Sequence, residues 1–218
     1  VFTLTLHNDA DDDQVEFDVI ASDCGLYAHS VKTKTLAFSM GERYEMVVDF
    51  ADFNGKNITM KNARGVVGAP DYAATNLVMR FIVGNSVSDN TNNGAIPSKL
   101  REPPVSVHAN ITKDFEFARV GGHWKINGVG WADVEHRILT RPELGADEVW
   151  VLRNGVGDGN ITGVHPVHIH LVDFQILSRS GGRGEVLPYE AAGQKDVVWL
   201  APGETIRVAA RYAPWPGV

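Results

Sequence analysis

The sequence predicts an all-β protein, a sandwich or a barrel, on three observations. Short runs alternate apolar with polar residues, turn-forming residues interrupt them about every eight to twelve positions, and no segment keeps helical apolar spacing through about three turns.

Val1-Phe2-Thr3-Leu4-Thr5-Leu6 opens the series as a half-buried strand with Phe2, Leu4 and Leu6 on one face. His7 to Asp13 is a polar turn. Its aspartates lack the glycine and distal glutamate of a calcium loop, so a solvated hairpin containing His7 is expected. Gln14 to Ala21 is a second strand, and His29 is placed in a loop before the Thr-rich segment from Lys32 to Phe38. After Gly41 the chain extends again, with Tyr44, Met46 and Val48 on one face. Asn54-Gly55 is a turn dipeptide. Ile58-Thr59-Met60 and Leu77 to Val83 add strands around an Ala-Gly-Pro loop near Ala69.

Composition changes over residues 85–104, from Asn85-Ser86 through Asn92-Asn93-Gly94 to Pro103-Pro104, and reads as an interdomain linker. The expected organisation is therefore a first domain over 1–84, a linker over 85–104 and a second domain over 105–218. In the second domain Phe115 to Val120 is a strand broken by Gly121-Gly122, and Trp124-Lys125-Ile126 runs into the hairpin signal Asn127-Gly128. Glu148 to Leu152 alternates cleanly, and a Gly-rich loop from Gly155 to Gly163 delivers His165. Asp196 to Leu200 and Thr205 to Tyr212 are the last clear strands, joined by Ala201-Pro202-Gly203-Glu204.

A chain of 218 residues with 44% hydrophobic and 22% charged content can bury a core in one large or two ordinary domains. No apolar run approaches the ~18 residues of a membrane span. A net charge of −7 argues against a nucleic-acid or anionic-membrane partner. The single cysteine, Cys24, excludes an internal disulfide and any Cys-rich zinc site, and its turn setting reads as a small, partly buried residue. Asn57, Asn110 and Asn160 each begin an N-x-T glycosylation acceptor, which points to an extracellular, secreted protein.

Chemistry concentrates in His165-Pro166-Val167-His168-Ile169-His170, which holds three of the eight histidines. In a strand His168 and His170 share a face, with Cα atoms about 7 Å apart, a span that suits ligands on neighbouring metal ions. His165 has the opposite parity and faces away. Imidazole suits copper, zinc, iron and nickel alike, so residue type does not choose the metal. His-rich tracts also occur as solvated loops, tags or zinc sites, although a tag would not run into Leu171-Val172-Asp173-Phe174-Gln175-Ile176. His108, His123 and His136 are solitary in polar or turn surroundings and read as surface histidines.

The H-P-V-H-I-H segment resembles the H-P-x-H-x-H motif in the C-terminal domain of multicopper oxidases. Trp124-Lys125-Ile126-Asn127-Gly128, Lys195 to Leu200, Tyr212 to Val218, Ala21-Ser22-Asp23 and Gly41-Glu42-Arg43-Tyr44-Glu45 are similar to the fungal bilirubin oxidase branch, with spore-coat laccases next. The resemblance implies tandem cupredoxin-like Greek-key β-sandwich domains. It also implies copper as cofactor, with a small-molecule organic reductant, a bilirubin-like tetrapyrrole or a phenol, and dioxygen as partners. Carried over by position, His165 ligates type-1 copper, His168 type-2 copper and His170 one copper of the type-3 pair. Asp173 is a sequence neighbour that could orient these rings.

The family's H-C-H segment, its axial methionine and its N-terminal His-x-His pairs have no counterpart here. The expectation is thus a middle domain, a linker and most of a last domain, silent in isolation. One local departure is Gly163-Val164 before His165, where bilirubin oxidases carry an aromatic residue and Thr; it opens that edge of the type-1 site. A non-catalytic cupredoxin-like module, binding a metal structurally or mediating an interaction, is the alternative reading.

Overall fold

The computed structural model describes residues 1–63, 72–87, 94–158 and 163–214. The expected loop near Ala69, part of the expected linker and Asn160 lie outside them. The chain divides into two compact units, one of residues 1–22 and 26–103, the other of residues 23–25 and 104–218.

In the first unit, β1 (Phe2–Asn8) pairs antiparallel with β2 (Gln14–Val15), β5 (Thr35–Phe38) and β7 (Asn57–Ala63), and β7 pairs with β8 (Leu77–Ile82). A second sheet has the order β4 (Gly25–Thr33), β3 (Phe17–Ser22), β6 (Tyr44–Val47). Period-two alternation buries Phe17, Val19 and Ala21 of β3, while Leu4, Leu6, Leu36 and Ile58 come from the first sheet. His29 lies within β4 rather than in a loop: the tight turn before Gly25 lets the strand begin early, and the His29 ring bonds the Ser98 carbonyl. Leu100 N–H donates to the Ala28 carbonyl at 2.8 Å, so the end of the Pro-rich segment runs along β4. A short helix, α1 (Tyr72–Thr75), precedes β8.

The second unit contains β9 (Ile111–Val120), β10 (His123–Ile126), β11 (Asp147–Asn154), β12 (His165–His168), β13 (Phe174–Ser180), β14 (Val197–Leu200) and β15 (Thr205–Arg211). Five of them form a sheet in the order β10-β9-β11-β15-β13, with β9 and β11 parallel, and β12 pairs with β14 in a separate ribbon. One core joins the two layers, taking Phe115, Leu152, Phe174, Ile206 and Val208 from the large sheet and Val198 and Leu200 from the ribbon. Asn127 (φ 51°) and Gly128 (φ 77°) both take positive φ, the demand of the two-residue hairpin that closes Ile126 onto Val129.

Beyond the ribbon lies a buried ion cluster. Arg179 of β13 donates to Glu190 in α2 (Pro188–Ala191) at 2.7 Å and to Glu204 at 3.0 Å, and Arg183 donates to Glu190 at 2.8 Å. The Arg183 guanidinium lies 3.9 Å from the centroid of the Trp199 ring. β14 is thus covered on both faces, which is why all four of its residues are buried.

Candidate metal centre

The register of β12 on β14 sets His165 opposite Leu200 and His168 opposite Val197. Residues paired across a ladder share a face. His165 therefore lies with Leu200 on the core side, where Val167 also packs, and His168 lies on the other side. The strand ends after His168, and Leu171 adopts a left-handed φ of 76°. For a branched residue that conformation is costly. It accompanies a change of direction in which Ile169 and Val172 both enter the core while His170 stays exposed.

His165 is half-buried between aromatic rings: Trp124 of β10 lies edge-on at 4.9 Å and Phe117 of β9 roughly parallel at 6.1 Å. Burial pushes its pKa below the ordinary histidine value, which favours neutral imidazole, the form that ligates metals. Its Nε2 is buried with no hydrogen-bond partner among the described residues, an arrangement that costs about 1–3 kcal/mol if left so. Trp124 also reaches within 4.0 Å of where a Gly163 Cβ would stand, so it approaches the edge that glycine leaves open.

His168 Nδ1 is 2.8 Å from the Asp196 carbonyl oxygen. A carbonyl can only accept, so Nδ1 carries the proton and Nε2 keeps its lone pair for a metal. The His170 ring is 4.7 Å away, tilted by 69°. The orienting partner is thus a backbone carbonyl, whereas Asp173 instead meets the Cys24 thiol. Burial, the Asp173 hydrogen bond and nearby aspartates together push the Cys24 pKa up and keep it a thiol, unsuited to metal ligation. Among the described residues no group of three or more His, Cys, Asp or Glu is placed to hold a metal ion alone. The imidazole donors fit copper but do not complete a site.

A cavity of about 370 Å³ adjoins His165, lined by Phe117, Trp124, Ile126, Trp131 and Leu139, with Lys125 and Arg137 as its cations. Trp131 is 83% exposed and carries the Arg137 guanidinium 4.9 Å from its ring centroid. Sequence reasoning missed this wall; its only signal was two tryptophans close to a hairpin. His108 and His123 are exposed, and His136 pairs with Asp133 at 3.0 Å. Asn110 is exposed just before β9, while Asn57 is half-buried at the start of β7 with Thr59 buried behind it.

Two β-sandwich units, with a strand that divides its imidazoles between two faces, define a cupredoxin-type fold. The family model described as multicopper oxidase matches residues 101–218, and the chain belongs to that family. It is 45% identical to a bilirubin oxidase from Albifimbria verrucaria over 96% of its own length and 37% of that protein. It is 27% identical to a laccase from Bacillus subtilis, covering 99% of this chain and 44% of the relative. Among solved structures it is similar to the McoA multicopper oxidase of Aquifex aeolicus, with a TM-score of 0.78 and 25% identity over 98% of this chain and 46% of that one. A laccase from Pediococcus acidilactici superposes with a TM-score of 0.69 at 26% identity, covering 96% of this chain and 41% of that one. The chain spans less than half the length of these relatives. No helix among the described residues is long and apolar enough to cross a membrane.

Proposed function

We propose that these residues serve a copper-dependent oxidase that takes electrons singly from an organic reductant and delivers four to dioxygen, forming water. The observation that carries the reading is the division of one segment's imidazoles, His165 toward the core and His168 on the opposite face of β12. In this reading His165 ligates type-1 copper, His168 type-2 copper and His170 one copper of the type-3 pair. Copper, when bound, supplies a one-electron redox change that these side chains do not offer.

The chain's own residues do the rest. Phe117 and Trp124 flank the His165 ring and shield it from water. The Asp196 carbonyl holds the proton on His168 Nδ1 and leaves Nε2 as the donor. Lys125 and Arg137 place positive charge beside the aromatic cavity, which favours a carboxylate-bearing aromatic such as a bilirubin-like tetrapyrrole over a neutral phenol. A blue site needs two nitrogens and a thiolate, and this chain brings one histidine to it. The remaining ligands would come from outside these 218 residues, and the chain alone is expected not to turn over. The three N-x-T sequences, with Asn110 the most accessible described one, support a secreted glycoprotein.

The test uses the full-length copper-loaded protein. His165→Ala should abolish the blue absorption, while His168→Ala and His170→Ala should keep it and lose oxygen consumption. Arg137→Ala should raise KM for bilirubin roughly three- to tenfold, the loss of one charge-assisted contact, and leave a neutral phenol unaffected. A blue band that survives His165→Ala would sink the assignment. Zinc uptake with no visible absorption would favour a structural metal module instead.

A further inference from the structure

The direction of the His168 ring is set from further away than its own hydrogen bond. The Asp196 carbonyl that accepts from His168 Nδ1 at 2.8 Å also accepts from the Ile169 N–H at 3.1 Å, so one oxygen holds both the ring and the backbone that follows it. That carbonyl belongs to the same planar peptide group as the Val197 N–H, which points the opposite way. The Val197 N–H donates to Asp23 Oδ2 at 3.3 Å, and so does the Asp196 N–H, also at 3.3 Å. Lys195 Nζ lies 3.0 Å from the same oxygen, and both side chains of that ion pair are fully buried.

We propose that Asp23 is a positioning residue for His168, acting through the Asp196–Val197 peptide. The carboxylate fixes the plane of the peptide from its N–H side, and His168 reads that plane from the carbonyl side. An anionic acceptor on the N–H also polarises the amide and strengthens its oxygen as an acceptor. Lys195 neutralises the buried carboxylate, so the clamp stands without an uncompensated charge. Residues 23–25 group with the second unit although β3 and β4 from Leu26 onward belong to the first, and the contacts of Asp23 lie within that second unit. The inference rests on reading His168 as a copper ligand only for its functional consequence; the positioning itself is a property of the metal-free protein.

The decisive measurement is the tautomer of the His168 ring by ¹⁵N NMR of the full-length protein prepared without copper, well above the ordinary imidazole pKa of about 6.5. The parent protein should show the Nδ1–H form alone. Asp23→Ala should populate the Nε2–H form substantially. The Asp23→Asn/Lys195→Met pair keeps a neutral acceptor for both N–H groups and strands no ammonium, so it should return the ring to the Nδ1–H form. If Asp23→Ala does not fold, Asp23→Leu/Lys195→Met, which removes the acceptor and strands no charge, should populate the Nε2–H form, and a ring that stays wholly Nδ1–H there overturns the proposal. On copper titration, the electron paramagnetic resonance signal of type-2 copper should require about tenfold more copper in Asp23→Ala, the lower end of what outer partners of a ligand contribute. A His168 ring that stays wholly Nδ1–H in Asp23→Ala overturns the proposal. A tautomer shift with unchanged copper uptake upholds the positioning and instead removes His168 from the copper site.

Discussion

Glu190→Gln tests the buried ion cluster most directly. Two guanidiniums, Arg179 and Arg183, face two carboxylates, Glu190 and Glu204, and the Arg179, Glu190 and Glu204 side chains have no solvent exposure. Glu190 Oε1 accepts from both arginines and Oε2 from the Leu187 N–H at 3.0 Å. Arg179 Nε and Arg183 Nε and Nη1 have no hydrogen-bond partner among the described residues, and Glu204 Oε1, 3.9 Å from Arg183 Nε, is too far to take up a bond that is lost. Glutamine leaves two buried positive charges against one negative and turns an amide N–H₂ toward donors. Breaking a buried pair from one side costs about 3–5 kcal/mol, and that is the expected loss in urea unfolding. Adding Arg183→Met restores a one-to-one balance between Arg179 and Glu204 and should recover about half of it. Burial opposes ionisation of Glu190, but Arg179 and Arg183 outweigh it and hold its pKa below the ordinary 4.5. The folded pKa is depressed, so this stability is fully present above about pH 4.5 and drains away as pH falls through the lower folded value. Glu190→Gln should therefore unfold with a weaker acid dependence than the parent. A loss below about 1 kcal/mol, or a double variant no more stable than the single one, would refute the charge-balance reasoning.

Two further outcomes follow from local geometry. Cys24, held as a thiol by burial and by Asp173, should react with thiol reagents near pH 8 far more slowly than a free cysteine and at full rate once urea unfolds the chain; equal rates would show the thiol is open. Gly157→Ala would put a Cβ 2.5 Å from the Arg119 carbonyl oxygen and 2.7 Å from its nitrogen, backbone atoms that cannot rotate away. It should lower stability by about 1–3 kcal/mol, while Gly155→Ala, whose nearest neighbours are atoms of the Glu116 side chain, should cost less; the reverse order in thermal melts would contradict the packing described.

The fold was legible wherever the pattern is local. Phe17, Val19 and Ala21 sink into the core at the period of two that their spacing announces, and Asn127-Gly128 forms the turn that its backbone freedom suits. The opposed parity of His165 and His168 follows from the same rule, because alternation is a property of the strand itself. Partnerships across long stretches of chain were not legible. Arg179, Glu190 and Glu204 look like solvated residues in Ser178-Arg179-Ser180, Tyr189-Glu190-Ala191 and Gly203-Glu204, since only their partners 11 and 25 positions away make burial tolerable. The orienting acceptor of His168 was missed for another reason. It is a main-chain carbonyl, which every residue carries, so composition drew attention to the carboxylate of Asp173 instead.

The interval of three between His165 and His168 works as a ruler cut into covalent geometry. Because β12 is pinned to β14 along its whole length, the two rings are separated by about 10 Å of strand that no loop motion can lengthen. Deleting one residue between them would do more than shorten that interval: it would bring both rings to the same side of the ribbon. A lesion of one amino acid there merges two separate environments into one, even where each histidine survives.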